Sequence, residues 1–115
     1  MKKVEYRSIW KAREEERKKK RELAIKKAKL IARFLKNNYH VKETILFGSV
    51  VWRPDFTWEG TDIDLMVKGL NPEKYFKTLS EIYPLAHPFH IDLIPYEKAN
   101  PSIKRRVIKE GLHLE

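Results

Sequence analysis

A stretch without glycine or proline runs from Glu5 to Lys36 and consists mostly of strong helix formers. Because nothing in it interrupts a helix, it predicts one long helix that ends near Asn37-Asn38. Its second half is amphipathic, with apolar residues at helical spacing that we expect to pack on a core. These residues are Leu23, Ala24, Ala28, Ile31, Phe34 and Leu35.

The first half of this helix is different, since between Lys11 and Glu22 the only apolar residue is Ala12. Glu–Lys pairs at i,i+4, each worth about 0.2–0.5 kcal/mol, support a helix that projects into water. We therefore predict a single domain of residues 1–115. Within it, residues 1–22 form a protruding basic helix and residues 23–115 form a compact core.

The net charge of +9 lies almost entirely in the predicted helix. Residues 1–30 hold 13 Lys/Arg and 5 Glu, whereas the rest of the chain is nearly neutral. Cations clustered on one element are typical of RNA or DNA binding, but the interleaved Glu residues also explain a solvated helix. Tyr6, Ile9 and Trp10 form an apolar cluster at the far end, placed for a protein partner or for a homo-oligomer. The sequence leaves these interpretations open.

Composition excludes several classes of protein. The chain has no cysteine, which excludes a disulfide framework and a thiolate zinc site. No apolar run approaches the ~20 residues of a membrane span, and no signal-peptide segment is recognisable. We expect a soluble, cytoplasmic protein without a membrane contact.

Short apolar segments separated by helical ones predict a small mixed β-sheet with helices packed on it, an α/β (α+β) fold. The predicted strands are Glu43–Phe47, Asp62–Val67 and Phe89–Ile94. After the first strand, a short helical piece is followed by a loop over residues 54–61. Asn71-Pro72 and Asn100-Pro101 each place an N-cap residue before a proline, which predicts the starts of the two later helices.

Two carboxylates share one face of the second predicted strand. Side chains alternate along a strand, so Asp62 and Asp64 point to one side and Ile63 to the other. Adjacent acids repel each other unless a cation lies between them, and oxygen ligands at this spacing suit Mg²⁺ or Mn²⁺. Asp92 in the third strand joins them if the two strands are neighbours. Three such acids can hold two metal ions, which activate an attacking hydroxyl and stabilise a leaving pyrophosphate.

The turn Gly48-Ser49, at the end of the first predicted strand, supplies the other half of this pattern. Glycine lets the backbone turn sharply and approach a ligand closely. A helix that starts after Ser49 would point free N–H groups at an anion, and the hydroxyl adds another donor. A Gly-Ser turn followed by Asp-x-Asp, each at the edge of a strand, predicts a site that holds a nucleoside triphosphate through divalent metal ions.

Leu46-Phe47-Gly48-Ser49, Asp62-Ile63-Asp64-Leu65-Met66-Val67 and Ile91-Asp92-Leu93 together resemble the polymerase-beta-like nucleotidyltransferase superfamily. Within it the chain is most similar to the minimal nucleotidyltransferases, small single domains that are often encoded beside a HEPN-type partner. The resemblance covers about residues 25–115. It implies a nucleotidyltransferase-like fold.

The resemblance also implies a function, a set of site residues and a partner. A nucleotidyl group, AMP from ATP, passes to a hydroxyl with the help of Mg²⁺ or Mn²⁺. All three aspartates would be catalytic: Asp62 and Asp64 as metal ligands, and Asp92 as a metal ligand or as the base for the acceptor hydroxyl. Gly48 and Ser49 would cradle the triphosphate. The chain would be the antitoxin that modifies its HEPN ribonuclease toxin.

The loop after Gly48-Ser49 departs from the pattern of the minimal branch, which continues with x-Ala-Arg-Gly. This chain reads Val50-Val51-Trp52-Arg53-Pro54, so the arginine position holds Trp52 and the nucleotide contact would pass to Arg53. Two further interpretations therefore stay open. The chain would be a regulator that inhibits its partner by contact, with a vestigial nucleotide site, or an RNA-directed nucleotidyltransferase.

Three other features indicate a function less specifically: a histidine, a pair of tryptophans and a basic run. His90 shares a strand face with Asp92 and would lie near the metals, or it is an ordinary polar residue at the start of a strand. Trp52 and Trp58 would stack on a nucleobase or anchor the loop. Lys104-Arg105-Arg106 predicts a solvated helix face.

Overall fold

The computed structural model describes residues 6–52 and 62–114, with side chains described from Ser8 onwards. No helix in these residues is long and apolar enough to cross a membrane. The elements in chain order are α1 Tyr6–Tyr39, β1 Glu43–Phe47, α2 Ser49–Trp52, β2 Asp62–Lys68, α3 Tyr75–Ile82, β3 His90–Pro95, α4 Pro101–Glu110 and β4 Leu112–Leu114. Short 3₁₀ turns at Pro72–Lys74, Pro84–Ala86 and Tyr96–Lys98 complete the connections.

Four strands form one mixed sheet in the order β3-β2-β1-β4. The outer strand β4 and the central strand β2 both run antiparallel to β1, while β2 and β3 are parallel. The parallel pair is joined by a crossover that contains α3, as a parallel connection requires. The expectation of a small mixed sheet with helices packed on it is confirmed.

Each face of the sheet packs against different helices. Alternate strand residues such as Leu46, Ile63 and Leu65 lie in the main core, together with residues of α1 and α3. The opposite alternation places Ile45 and Met66 in a second cluster with Val107 of α4. The face that α4 covers is also the face on which Asp62 and Asp64 lie, because they alternate in step with Met66.

The apolar face predicted for α1 is largely confirmed. Ala24, Ala28, Ile31 and Leu35 are fully buried, and Phe34 is partly buried against them. Leu23 was expected in the core but is 38% exposed, since it lies on the flank of the helix rather than under it. Every side chain from Ser8 to Glu16 is exposed.

The end of α1 lies beyond the predicted stop at Asn37-Asn38. Asn38 stays helical and its side-chain amide donates a hydrogen bond to the carbonyl of Phe34, 2.9 Å away. The helix ends instead before His40, whose φ of 53° is in the left-handed region that terminates helices. A left-handed residue other than glycine or asparagine is hard to predict from sequence.

Both predicted N-caps are confirmed. The side chain of Asn71 accepts a hydrogen bond from the Glu73 N–H at 3.0 Å, and that of Asn100 accepts one from the Ile103 N–H at 3.1 Å. The first of these caps opens a 3₁₀ turn that continues into α3. The sequence missed β4, a three-residue strand that exists only because it pairs with β1.

Candidate active site

Three strands bring a row of side chains together across the sheet. Asp64 of β2 pairs in register with Asp92 of β3 on one side and with Phe47 of β1 on the other. In the next row, Asp62 pairs with His90. Directly opposed residues on neighbouring strands share a face, so the three acids predicted as a group lie on one surface. The parallel pairing of β2 and β3 is what joins them.

Gly48 ends β1 and begins the turn beside this row. Its φ of 82° is in the left-handed region, which favours glycine. A Cβ atom at this position would lie 2.2 Å from Oδ2 of Asp64. The turn therefore needs glycine for two reasons, its backbone angle and the carboxylate that touches it.

Asp64 is half-buried, whereas Asp62 and Asp92 are exposed. Burial, and then the negative charges of Asp92 and Asp62, raise the pKa of Asp64 to about 6. The three carboxylates therefore repel one another near neutral pH in the absence of a cation. A divalent ion between them would relieve this repulsion, so the donor set fits Mg²⁺ or Mn²⁺.

The three carboxylates are not in a preformed metal-binding geometry. Among the described residues, no three His, Asp or Glu side chains converge closely enough to hold an ion as they stand. Because Asp62 and Asp92 are exposed, rotation of their side chains can bring their oxygen atoms towards Asp64. The residues fit a metal site that forms when the ion and the phosphates arrive together.

The short helix α2 follows Gly48 and is held by side chains of two other helices. Arg21 of α1 donates a hydrogen bond from Nε to the Val50 carbonyl, with a donor–acceptor distance of 2.9 Å. The Arg106 guanidinium of α4 lies 3.7 Å from the centre of the Trp52 ring. Trp52 also packs at a tilt on Phe47, with ring centroids 5.9 Å apart.

These contacts favour packing over base stacking for Trp52, and they add aromatic contacts to the largely exposed basic run Lys104-Arg105-Arg106. Trp52 is a partly buried packing residue in this structure, and its indole N–H is buried without a hydrogen-bond partner among the described residues. The segment Lys104-Arg105-Arg106 is not simply a solvated face, since Lys104 lies over the Tyr96 ring and Arg106 over Trp52.

The structure describes some of the remaining predicted site residues and not others. Ser49 begins α2 directly beside Gly48, as expected. Arg53 and Trp58 lie outside the described residues. His90 is exposed on the acid-bearing face, and its Nδ1 is 3.3 Å from the Tyr83 hydroxyl oxygen.

Sequence reasoning missed both arginines that contact α2. Arg21 was one cation among many in a basic helix, and no spacing rule singled it out. Arg106 stood in a run of three cations whose positions relative to α2 depend on the docking of α4. Such contacts join residues 29 or more positions apart and follow from the packing of helices, which local patterns do not encode.

Two solved structures show the same fold. A crystal structure of the toxin–antitoxin MntA–HepT is 19% identical, covers 77% of this chain and 69% of its own, and has a TM-score of 0.57. A crystal structure of a toxin–antitoxin with AMP-PNP is 22% identical, covers 77% of this chain and 72% of its own, and has a TM-score of 0.60. No curated protein matches the chain significantly.

Residues 29–114 match the family described as polymerase beta, nucleotidyltransferase. The matched region includes the Gly48 turn, both aspartates of β2, and Asp92 of β3. It also spans the sheet and α4, which together place these residues on one surface. The chain belongs to the polymerase beta nucleotidyltransferase family.

Proposed function

We propose that this protein transfers AMP from ATP to a hydroxyl of a partner protein, with Mg²⁺ bound by Asp62, Asp64 and Asp92. The pairing of Asp64 with Asp92 on adjacent parallel strands, beside Gly48, carries the proposal. It brings three carboxylates and a glycine turn to one site, and these groups together can hold a triphosphate through divalent ions. Residues 1–115 would act as one nucleotidyltransferase domain, with residues 1–22 as a protruding helix.

Different residues of the chain would bind the triphosphate, bind the metal and accept the proton of the hydroxyl. Gly48 and Ser49 would hold the phosphates through backbone N–H groups and the serine hydroxyl, with Arg53 as a further contact. The acceptor oxygen forms a bond to the α-phosphorus while the bond to pyrophosphate breaks, and Asp92 would take the proton of the hydroxyl. Bound Mg²⁺ would supply charge stabilisation of the transferring phosphate.

The acceptor is proposed from similarity. Two toxin–antitoxin structures share the fold, and one of them contains AMP-PNP, a form of nucleotide that resembles ATP. This supports an antitoxin that modifies a HEPN-type ribonuclease as its partner, with ATP as the donor. Asp92 is exposed, so an acceptor can approach it from solvent.

The experiment measures transfer of label from α-³²P-ATP, with Mg²⁺, to the HEPN-type partner and in parallel to total RNA. Wild type is compared with the double variant Asp62→Asn/Asp64→Asn and with Glu73→Gln, an exposed acid before α3 that serves as the control. We expect labelled partner with wild type and with Glu73→Gln, and none with the double variant.

Other outcomes would replace the proposal. Label on RNA, lost in the double variant and weakened by salt, would make the chain an RNA-directed nucleotidyltransferase that uses its basic helix. Inhibition of the partner that survives loss of all three aspartates, without label anywhere, would make it a contact regulator. Equal transfer by wild type and the double variant would reject the proposed mechanism.

A further inference from the structure

The Gly48 turn lies directly against the Asp64 carboxylate, so a movement of the turn changes this contact. The backbone of Gly48 lies so close to the Asp64 carboxylate that no Cβ fits between them. The turn continues directly into α2, whose Val51 and Trp52 N–H groups donate to the Gly48 carbonyl at 3.1 and 2.8 Å. A shift of α2 therefore moves Gly48 against Asp64.

A four-residue helix cannot hold this position by itself, because a single turn of helix is unstable in water. Contacts from outside must fix it. Val50 supplies one such contact through its fully buried side chain in the main core. The carbonyl of the same residue accepts the hydrogen bond from Arg21.

The hydrogen bond from Arg21 is well suited to hold a backbone segment. It is charge-assisted, at 2.9 Å, and part-buried, so it is stronger than a neutral surface hydrogen bond. Its donor is Nε, which lies nearest the backbone of α1 and has the least freedom of the guanidinium nitrogens. The acceptor is the carbonyl of Val50, the second residue of α2, and a helix this short leaves its last four carbonyls without intrahelical partners.

The part of the α1 backbone that carries the Arg21 side chain is itself held by packing on the core. Ala24 and Ala28, one and two turns after Arg21, are fully buried against the core. Arg21 therefore lies near the end of the part of α1 that packs on the core, and every side chain from Ser8 to Glu16 is exposed. Arg17 and Lys20 lie on the same side of the helix and are half-buried.

We infer that Arg21 is a positioning residue for the nucleotide site, which it serves by tying the Gly48-Ser49 turn to α1 through the Val50 carbonyl. The inference rests on the proposed function, because the turn is taken to hold the triphosphate of ATP. Arg21 lies where the protruding helix of residues 1–22 joins the core, so this end of the helix becomes part of the nucleotide site. Arg21 acts through the turn, so its loss weakens nucleotide binding without removing the carboxylates that carry the reaction.

The test compares wild type with Arg21→Gln, Arg21→Lys and Arg33→Gln. Arg33 lies on the same helix and is exposed, so its variant makes the same change in net charge away from α2. Amide hydrogen exchange at Val51 and Trp52 is measured without nucleotide. The dissociation constant of ATP with Mg²⁺, and kcat and KM for transfer, are measured on the same proteins.

We expect Arg21→Gln to speed exchange at Val51 and Trp52 and to weaken ATP binding about tenfold, the value of one charge-assisted hydrogen bond. KM rises with little change in kcat at saturating ATP. Arg21→Lys should recover part of the affinity, since lysine can also donate to the carbonyl. Arg33→Gln should match wild type in both measurements.

Three results would overturn the inference. Unchanged ATP affinity in Arg21→Gln would show that the contact is structural only, even if exchange at α2 is faster. Equal weakening by Arg33→Gln would assign the effect to net charge. If wild type binds no ATP, both the proposed function and the nucleotide role of Arg21 are rejected. The ATP affinity of wild type alone distinguishes this outcome from the first result.

Discussion

The Cβ that Gly48 lacks would lie 2.2 Å from Oδ2 of Asp64, so the turn predicted to bind phosphate and a predicted metal ligand are in direct contact. The residues lie on adjacent strands, at the end of β1 and near the start of β2. The contact brings together a turn and a carboxylate that are 16 positions apart and that we propose act on the same phosphate group. It also makes Gly48 sensitive to the smallest substitution.

Gly48→Ala should lower both stability and nucleotide affinity. A left-handed φ costs a non-glycine residue about 1–2 kcal/mol, and the new methyl group displaces Asp64. Urea unfolding measures the first effect and ATP titration with Mg²⁺ the second. Gly69→Ala is the matched control, since Gly69 has a φ of 86° and its Cβ would meet only the flexible Lys42 side chain and nearby backbone. Equal loss of ATP affinity in both variants would contradict the contact.

The protein without divalent metal should lose stability as the pH rises through the range in which Asp64 ionises. The pKa of Asp64 is about 6 in the folded state against 3.8 in the reference state, so the folded protein binds this proton more tightly than the unfolded chain does. The free energy of unfolding therefore falls between about pH 4 and pH 6 and levels off above that.

Asp64→Asn should remove this part of the pH dependence. The variant is then more stable than wild type at pH 7.5, by about 1 kcal/mol after allowance for solvent screening. Urea unfolding in EDTA at pH 4 and pH 7.5 measures the difference, and Glu73→Gln is the control with an exposed acid. Wild type and Asp64→Asn with the same pH dependence would contradict the raised pKa.

Asp92→Asn should reduce transfer far more than nucleotide binding. Asp92 is exposed and lies across from Asp64 on the edge strand β3, where an acceptor can reach it. Loss of a general base costs about 10²–10⁴-fold in rate, whereas Asp62 and Asp64 would still hold the metal and, through it, the nucleotide. Single-turnover rates and ATP dissociation constants separate the two effects. A loss of binding as large as the loss of rate would show that Asp92 serves only as a metal ligand and does not act as the base.

Arg106→Gln should destabilise the fold modestly and loosen Trp52. The guanidinium lies 3.7 Å from the centre of the indole ring, a contact worth about 0.5–1 kcal/mol at an exposed site. Urea unfolding gives the free energy change, and hydrogen exchange at the Trp52 amide reports on α2. Arg105→Gln, the exposed neighbour on the same helix, should have no comparable effect. If the two variants behave alike, the contact with Trp52 does not contribute.

Local sequence patterns predicted most elements within a few residues. Strand β1 has the predicted bounds, and both asparagine caps open their helices, because capping and alternation depend on near neighbours. The prediction was wrong about Leu23, which is exposed, whereas α1 ends at Tyr39, one residue beyond the predicted stop. Strand β4 was missed, since three residues are stabilised only by pairing with β1.

The sequence by itself determined the chemical groups of the site and the faces on which they lie. Alternation along β2 puts Asp62 and Asp64 on one side, and that requires no partner strand. Only the tertiary structure decided that Asp92 lies beside Asp64, that Gly48 touches its carboxylate, and that Arg21 donates a hydrogen bond to the Val50 carbonyl. The physical reason is that strand register and helix docking are set by the packing of the whole core, over separations that no local pattern spans.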